Sequence, residues 1–166
     1  IETSKADKVT VPTGYCTQII LPWGEPLTGS YLAYSLIGSH HDGMHFFPIE
    51  GKGPYEGSST DGLLVINHEY VEPRFMHADA IGAKASSKDV PMAGCYRKAD
   101  QVLKEMNAHG VSVARIRKGE VGTWALEPDP RNRRITALTP MEIRGPVRGS
   151  TLVQTKFSPR GTMTRG

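Results

Sequence analysis

Residues 61–70 read DGLLVINHEY, and the run Leu63, Leu64, Val65 and Ile66 constrains this chain more than any other stretch. A short apolar run with β-branched members, bounded by polar residues and Gly62, has the length and character of a strand covered on both faces. Such a strand needs partners along both edges and apolar cover above and below, so it demands a sheet. It then runs straight into Asn67, His68 and Glu69 with no turn residue between. A polar group taken out of water unpaired costs a few kcal/mol, and an ionised carboxylate more. The strand end therefore requires partners, either backbone groups of a neighbouring turn or a bound cation.

The rest of the composition agrees with a sheet protein. With 38% hydrophobic and 22% charged residues, 18 Gly and 12 Pro over 166 residues, the chain fits a turn-rich, mainly β domain with a sizeable core. No run of about 18 apolar residues exists, so no helical membrane span is expected. The opening residues, IETSKADKVTVP, lack the basic start and apolar middle of an export signal, and the reading is that any signal has already been removed. Cys16 and Cys95 match no metal spacing. A disulfide between them is allowed in an oxidising compartment, and sequence does not place it.

Along the chain, YCTQIIL at Tyr15 to Leu21 predicts a short strand, closed by the Pro22 and Gly24 to Pro26 punctuation, with Trp23 capping a core edge. Two apolar segments then flank a polar knot at Ser39 to Asp42, and Pro48 marks the second as an edge strand. GKGPYEGSSTDG is a loop, and residues 71–96 form an irregular excursion. One helix is predicted over about 97–109. Ala99, Val102, Leu103 and Met106 fall at one-face spacing, Lys98, Lys104 and Glu105 are expected outside, and Gly110 stands where a left-handed cap is wanted. Val111 to Lys118 and Thr123 to Glu127 predict a hairpin around Gly119 to Gly122, and a last strand is expected near Ser150 to Lys156.

Charge is uneven. Residues 1–110 hold 13 acidic against 9 basic side chains and all 6 histidines, whereas residues 111–166 hold 11 basic against 4 acidic. Three groups carry candidate chemistry. In SHHDGMH, His40, His41, Asp42 and His45 are either first-row metal ligands or solvated loop residues, and the spacing is not that of a helical zinc motif. Asn67, His68 and Glu69, with Asp61 nearby, offer oxygen ligands of the kind calcium takes, or else satisfy a neighbouring turn. Arg131, Arg133, Arg134, Arg144 and Arg148 either hold a phosphoryl group or keep an exposed turn soluble. Little aromatic interleaving accompanies them, so nucleic acid is not the expected partner.

GYCTQIILPWGEPL, HHDGMHFFPIE, GLLVINHEY, MNAHGVSVARI and NRRITALTPMEIRGP, in this order, resemble successive blocks of the PhoX-type alkaline phosphatases, over nearly the whole chain. The resemblance implies an exported bacterial phosphomonoesterase: residues 1–166 would be the N-terminal portion of a six-bladed β-propeller with one inserted helix, holding calcium and iron. It implies Tat export after folding, a periplasmic or extracellular location, and a phosphate monoester as substrate, with the remainder of the same polypeptide as partner. Carried over residue by residue, Glu69, Asn67 and Asp42 would be metal ligands, His68 would stand behind them, and Arg134 or Arg133 would approach phosphate. Where the family usually has Asn-Asn-Asp, this chain has His40, His41 and Asp42, so only Asp42 transfers. Neither cysteine aligns with the family's iron-binding cysteine, and most ligands are expected beyond Gly166, so this segment alone should be inactive, with no catalytic residue assigned. The alternative reading is a non-catalytic propeller used as a binding module.

Overall fold

The structure is a computed structural model, and it describes residues 5–53, 55–81, 92–93, 96–142 and 144–153. The expected apolar run becomes β2 (Asp61–His68), the middle of an antiparallel array. On one side lies β1 (His41–Pro48), with Phe46 opposite Leu64 and His41 opposite His68. On the other lies β5 (Gly110–Lys118), paired along its whole length from Asp61↔Arg117 to His68↔Gly110. As Pro48 requires, β1 is an edge strand and ends there.

The far side of β5 is shared by two short strands. β6 (Trp124–Leu126) pairs with Ile116 to Lys118 as the expected hairpin, and β7 (Arg133–Ile135) pairs with Val111 to Val113. Between them, Arg115 would be left with an unmatched backbone, which is costly inside a sheet. Asn132 fills the gap: its Oδ1 accepts from the Arg115 amide at 2.6 Å, its Nδ2 donates to the Glu127 carbonyl at 2.8 Å, and the Glu127 amide donates to the Arg115 carbonyl at 2.9 Å. Arg115 itself forks Asp61 at 3.0 and 2.8 Å and reaches Asp129 at 3.0 Å, tying β2 to the turn before β7.

The main core covers the face of β2 that carries Leu64 and Ile66. Leu21, Leu27, Ile37, Ile66, Ala114 and Ile116 are buried there, with Phe46, Trp124 and Leu126 packed against them. Contrary to expectation, Tyr15 to Leu21 form no strand. The Gln18 side chain nonetheless behaves like a strand backbone, accepting from the Trp124 amide at 2.8 Å and donating to its carbonyl at 2.5 Å. A neighbour that can pair through a side chain need not extend its backbone. Trp23 lies at the core's margin, about half exposed.

After β2 the chain makes two short helical turns, α1 (Pro73–Met76) and α2 (Ala78–Ile81), then a small ribbon of β3 (Met92–Ala93) and β4 (Tyr96–Arg97). The predicted helix is α3 (Ala99–Ala108). Its inward face is rotated from the predicted one: Gln101 and Ala108 are buried, Glu105 meets His77 at 2.7 Å, and Lys104 donates to the Met76 carbonyl, while Val102 and Leu103 are exposed. Polar neighbours from α1 and His77 override the apolar stripe. Gly110 does adopt the predicted left-handed backbone, with φ of 113°, and a Cβ there would lie 1.9 Å from the Ile135 carbonyl oxygen, so β7 passes where only glycine fits. Thr151–Val153 form a 3-10 turn in place of the start of the expected last strand; its remainder, and Cys95, lie outside the described residues. The described residues make one open five-stranded sheet and a two-stranded ribbon, not a closed propeller.

Candidate functional site

The polar end of β2 opens into a cavity of about 470 Å³, walled by residues 67–69, 109–111 and 135–137 with Met141. Three strand ends meet there. Asn67, His68 and Glu69 are thus brought to one wall by continuity of the strand. They face different ways: Asn67 and Glu69 are exposed, and His68 is only 1% exposed.

His68 belongs to the core face. Its Nε2 lies 2.7 Å from Oγ of Ser112, which has no exposed surface, and Arg134 Nη1 donates to the same Oγ at 3.3 Å. A guanidinium can only donate, so the serine oxygen accepts from Arg134 and its hydroxyl hydrogen is free to go to His68. Burial, then the nearby charge of Arg134, push the His68 pKa down to about 3, so the ring is neutral at ordinary pH. Arg134 also turns to the C-terminus of α3, giving Nη2 to the carbonyls of Asn107 at 2.9 Å and His109 at 3.0 Å, while its buried Nε has no hydrogen-bond partner among the described residues. That is where a helix presents unpaired carbonyls and negative partial charge. Burial lowers the Arg134 pKa to about 10, leaving it a cation behind the cavity wall.

The other expected site residues are more dispersed. The pairing of β1 with β2 skips from His41↔His68 to Met44↔Ile66, so Asp42 and Gly43 together oppose Asn67 in a bulge. Asp42 shares that rung and is exposed, but it does not line the cavity. Arg133 is exposed and donates to the Arg131 carbonyl at 2.9 Å. Asp61, read as near Glu69, lies at the opposite end of β2 under Arg115 and Arg117, which hold its carboxyl below the usual range. Arg131 is occupied by Asp129, and Arg144 and Arg148 meet Glu142 at the surface.

Two contributors escaped sequence reasoning. His109 lines the cavity, with its Nδ1 donating to the Glu105 carbonyl at 2.8 Å, and its only signal was a histidine directly before the capping glycine. Ser112 interrupts the apolar VSV of β5, and a serine at a core-facing rung is the trace of a buried polar partner.

As a cation site, the cavity offers the Glu69 carboxylate and the Asn67 amide oxygen, donors that suit calcium. Calcium takes about six to eight oxygens, so these two are part of a shell. Among the described residues no group of three or more His, Cys, Asp or Glu side chains converges, Cys16 is free and exposed, and His68 is committed to Ser112. The donor set fits calcium and does not fit iron.

The family model described as alkaline phosphatase PhoX matches residues 1–166. Among solved structures, Pseudomonas fluorescens PhoX in complex with vanadate, a transition state analogue, is similar with a TM-score of 0.66 at 25% identity, over 92% of this chain and 25% of that one. The chain thus spans about a quarter of that protein's length. No curated protein matches the sequence.

Proposed function

The chain belongs to the PhoX family of alkaline phosphatases, and from that premise we propose that it supplies the first part of an exported, metal-dependent phosphomonoesterase built on a six-bladed propeller. One observation carries the reading: in a chain matching that family throughout, the strand end with Asn67, His68 and Glu69 forms one wall of a cavity of about 470 Å³. The similarity to a protein captured with a transition state analogue supports phosphoryl chemistry for the whole protein to which this chain contributes.

In this reading Glu69 and Asn67 donate oxygens to calcium, and Asp42, on the neighbouring rung, supports them. Iron, where the whole protein holds it, would be held by residues other than these, since this donor set does not fit it. Bound cations would neutralise the phosphate and stabilise the charge of its transition state. This chain's own residues bind and orient. Arg134 acts from behind the wall as a half-buried cation favouring an anion in the cavity, its two Nη atoms being held by Ser112 and the helix end. Arg133, being exposed, is the freer of the two arginines to reach a phosphate oxygen. His68, kept neutral, fixes the strand end and adds no charge there. The 166 residues alone would not turn over, since among the described residues Asn67 and Glu69 supply only part of a cation shell. Location is periplasmic or extracellular, reached by the Tat route.

The test uses the full-length protein purified with its metals. Glu69→Gln should lower calcium stoichiometry by at least one ion and the hydrolysis rate of a phosphate monoester by about a hundredfold. Wild-type protein that holds calcium but hydrolyses no phosphate ester would instead favour a non-catalytic propeller, and an unchanged Glu69→Gln variant would remove the ligand assignment.

A further inference from the structure

The polar knot at Ser39 to Asp42 is only partly used by the reading above, since Asp42 alone enters it. The ladder on both sides of β2 stops at His68, with His41 on one side and Gly110 on the other. Glu69 and Tyr70 lie past the last rung, where a strand end frays unless something else holds it. That hold comes from the knot. Ser39, 4% exposed, donates its hydroxyl to the Tyr70 carbonyl at 2.8 Å and its amide to the Ala108 carbonyl at the end of α3 at 3.1 Å. His40 takes a left-handed backbone, φ 46°, and its carbonyl accepts the Glu69 amide at 3.4 Å.

The two histidines serve the same corner. The His40 ring stands edge-on to the Tyr70 ring at 5.1 Å, and His41 Nε2 donates to the Gly38 carbonyl at 3.1 Å. Gly38 lets the corner close: a Cβ there would come within 2.4 Å of the Ala108 carbonyl oxygen and 2.5 Å of His68 Cγ. We propose that Ser39, together with the left-handed turn at His40, is the positioning device for Glu69, setting where its carboxylate enters the cavity and hence how tightly calcium is held. The inference rests on the reading of Glu69 as a calcium donor, and it gives the histidine-rich knot a role other than ligation.

The physical reasoning is that a residue past the end of a ladder has its direction set by only two backbone anchors. The 3.4 Å contact from Glu69 is long, so the short bond from Ser39 to the next residue carries most of the hold. Left-handed geometry at His40 is tolerated by histidine better than by most side chains and is disfavoured for β-branched ones. If His40 were extended, its carbonyl would turn away from Glu69.

The experiment measures calcium affinity of the full-length protein by chelator competition with calcium alone, and hydrogen exchange over the segment containing Glu69 and Tyr70. Ser39→Ala and His40→Val should each weaken calcium about tenfold and speed exchange in that segment, while Ser39→Thr and His40→Gly, which keep the hydroxyl or the turn, stay near wild type. If Ser39→Ala fails to fold, His40→Val against His40→Gly makes the same comparison. Wild-type calcium affinity in His40→Val or Ser39→Ala, with Glu69→Gln impaired, overturns the positioning role and leaves the ligand reading intact. Wild-type affinity in Glu69→Gln overturns the ligand reading first, and the positioning role falls with it.

Discussion

Ser112 and His68 sit on paired strands of the core with the serine oxygen 2.7 Å from the imidazole Nε2, and both are buried. The serine joins two groups that burial would otherwise penalise, a neutral ring and the fork of Arg134. Removing its hydroxyl leaves both with one partner fewer. Ser112→Ala should destabilise the protein by about 1–3 kcal/mol, the cost of an unsatisfied buried polar group, despite the small change in volume. Urea unfolding measures this, and a midpoint equal to wild type would contradict it.

The same burial makes stability depend on pH in a defined window. The His68 pKa is about 3 in the folded protein against 6.5 as the ordinary value. The unfolded chain therefore takes up the proton first. Stability from the neutral ring is full above about pH 6.5 and declines as pH falls toward 3, by at most about 1.4 kcal/mol per pH unit. Asp61 and Asp129, held below the carboxylate range chiefly by Arg115 and Arg131, add a further loss only below about pH 4. Unfolding curves at pH 7.5, 6 and 5 should show the first decline above the range where Asp61 and Asp129 contribute, and His68→Gln should flatten it.

Gly110 should tolerate no side chain. The strand-crossing geometry puts the Ile135 carbonyl oxygen 1.9 Å from where a Cβ would stand, and φ is 113°. Backbone strain and overpacking each cost roughly 1–3 kcal/mol, and here they act together. Gly110→Ala should therefore lower the thermal midpoint by more than 10 °C or leave the protein insoluble, whereas Gly119→Ala, with 3.6 Å to its nearest neighbour and an ordinary φ, should fold.

What could be read from sequence follows how local the signal was. β2 was legible because four apolar residues between polar boundaries admit few other solutions, and the β5–β6 hairpin because its turn is written in glycines. Gly110 combined a helix stop with a demand for positive φ, and both were visible. Tyr15 to Leu21 misled because apolar spacing reports a need for burial, which Leu21 meets, and cannot report that Gln18 pairs through its side chain. The site was legible only as the triplet at residues 67–69. The Arg134 bonds to Ser112 and to the end of α3, and the bond from Ser39 to Tyr70, join residues 22 to 31 positions apart, a distance at which no sequence period speaks.

α3 offers the sharpest contrast between pattern and packing. The stripe of Ala99, Val102, Leu103 and Met106 predicts those residues inside, yet Leu103 is 48% exposed and Val102 36%, while Ala108 is 6% exposed against Val71 and Met76. A helix turns about 100° per residue, so the observed face, through Gln101, Glu105 and Ala108, is the stripe of Ala99, Leu103 and Met106 shifted by two positions, about 200°, onto nearly the opposite side of the helix. Leu103→Lys should change stability by no more than about 0.5 kcal/mol, as at an ordinary surface position. Ala108→Lys should cost at least about 2 kcal/mol, because its charge would be buried between Val71 and Met76 beside the carbonyl that receives the Ser39 amide. Paired urea titrations decide the matter: a larger loss from Leu103→Lys than from Ala108→Lys would show that the apolar stripe packs inward after all, most directly by burying Leu103 against other apolar surface.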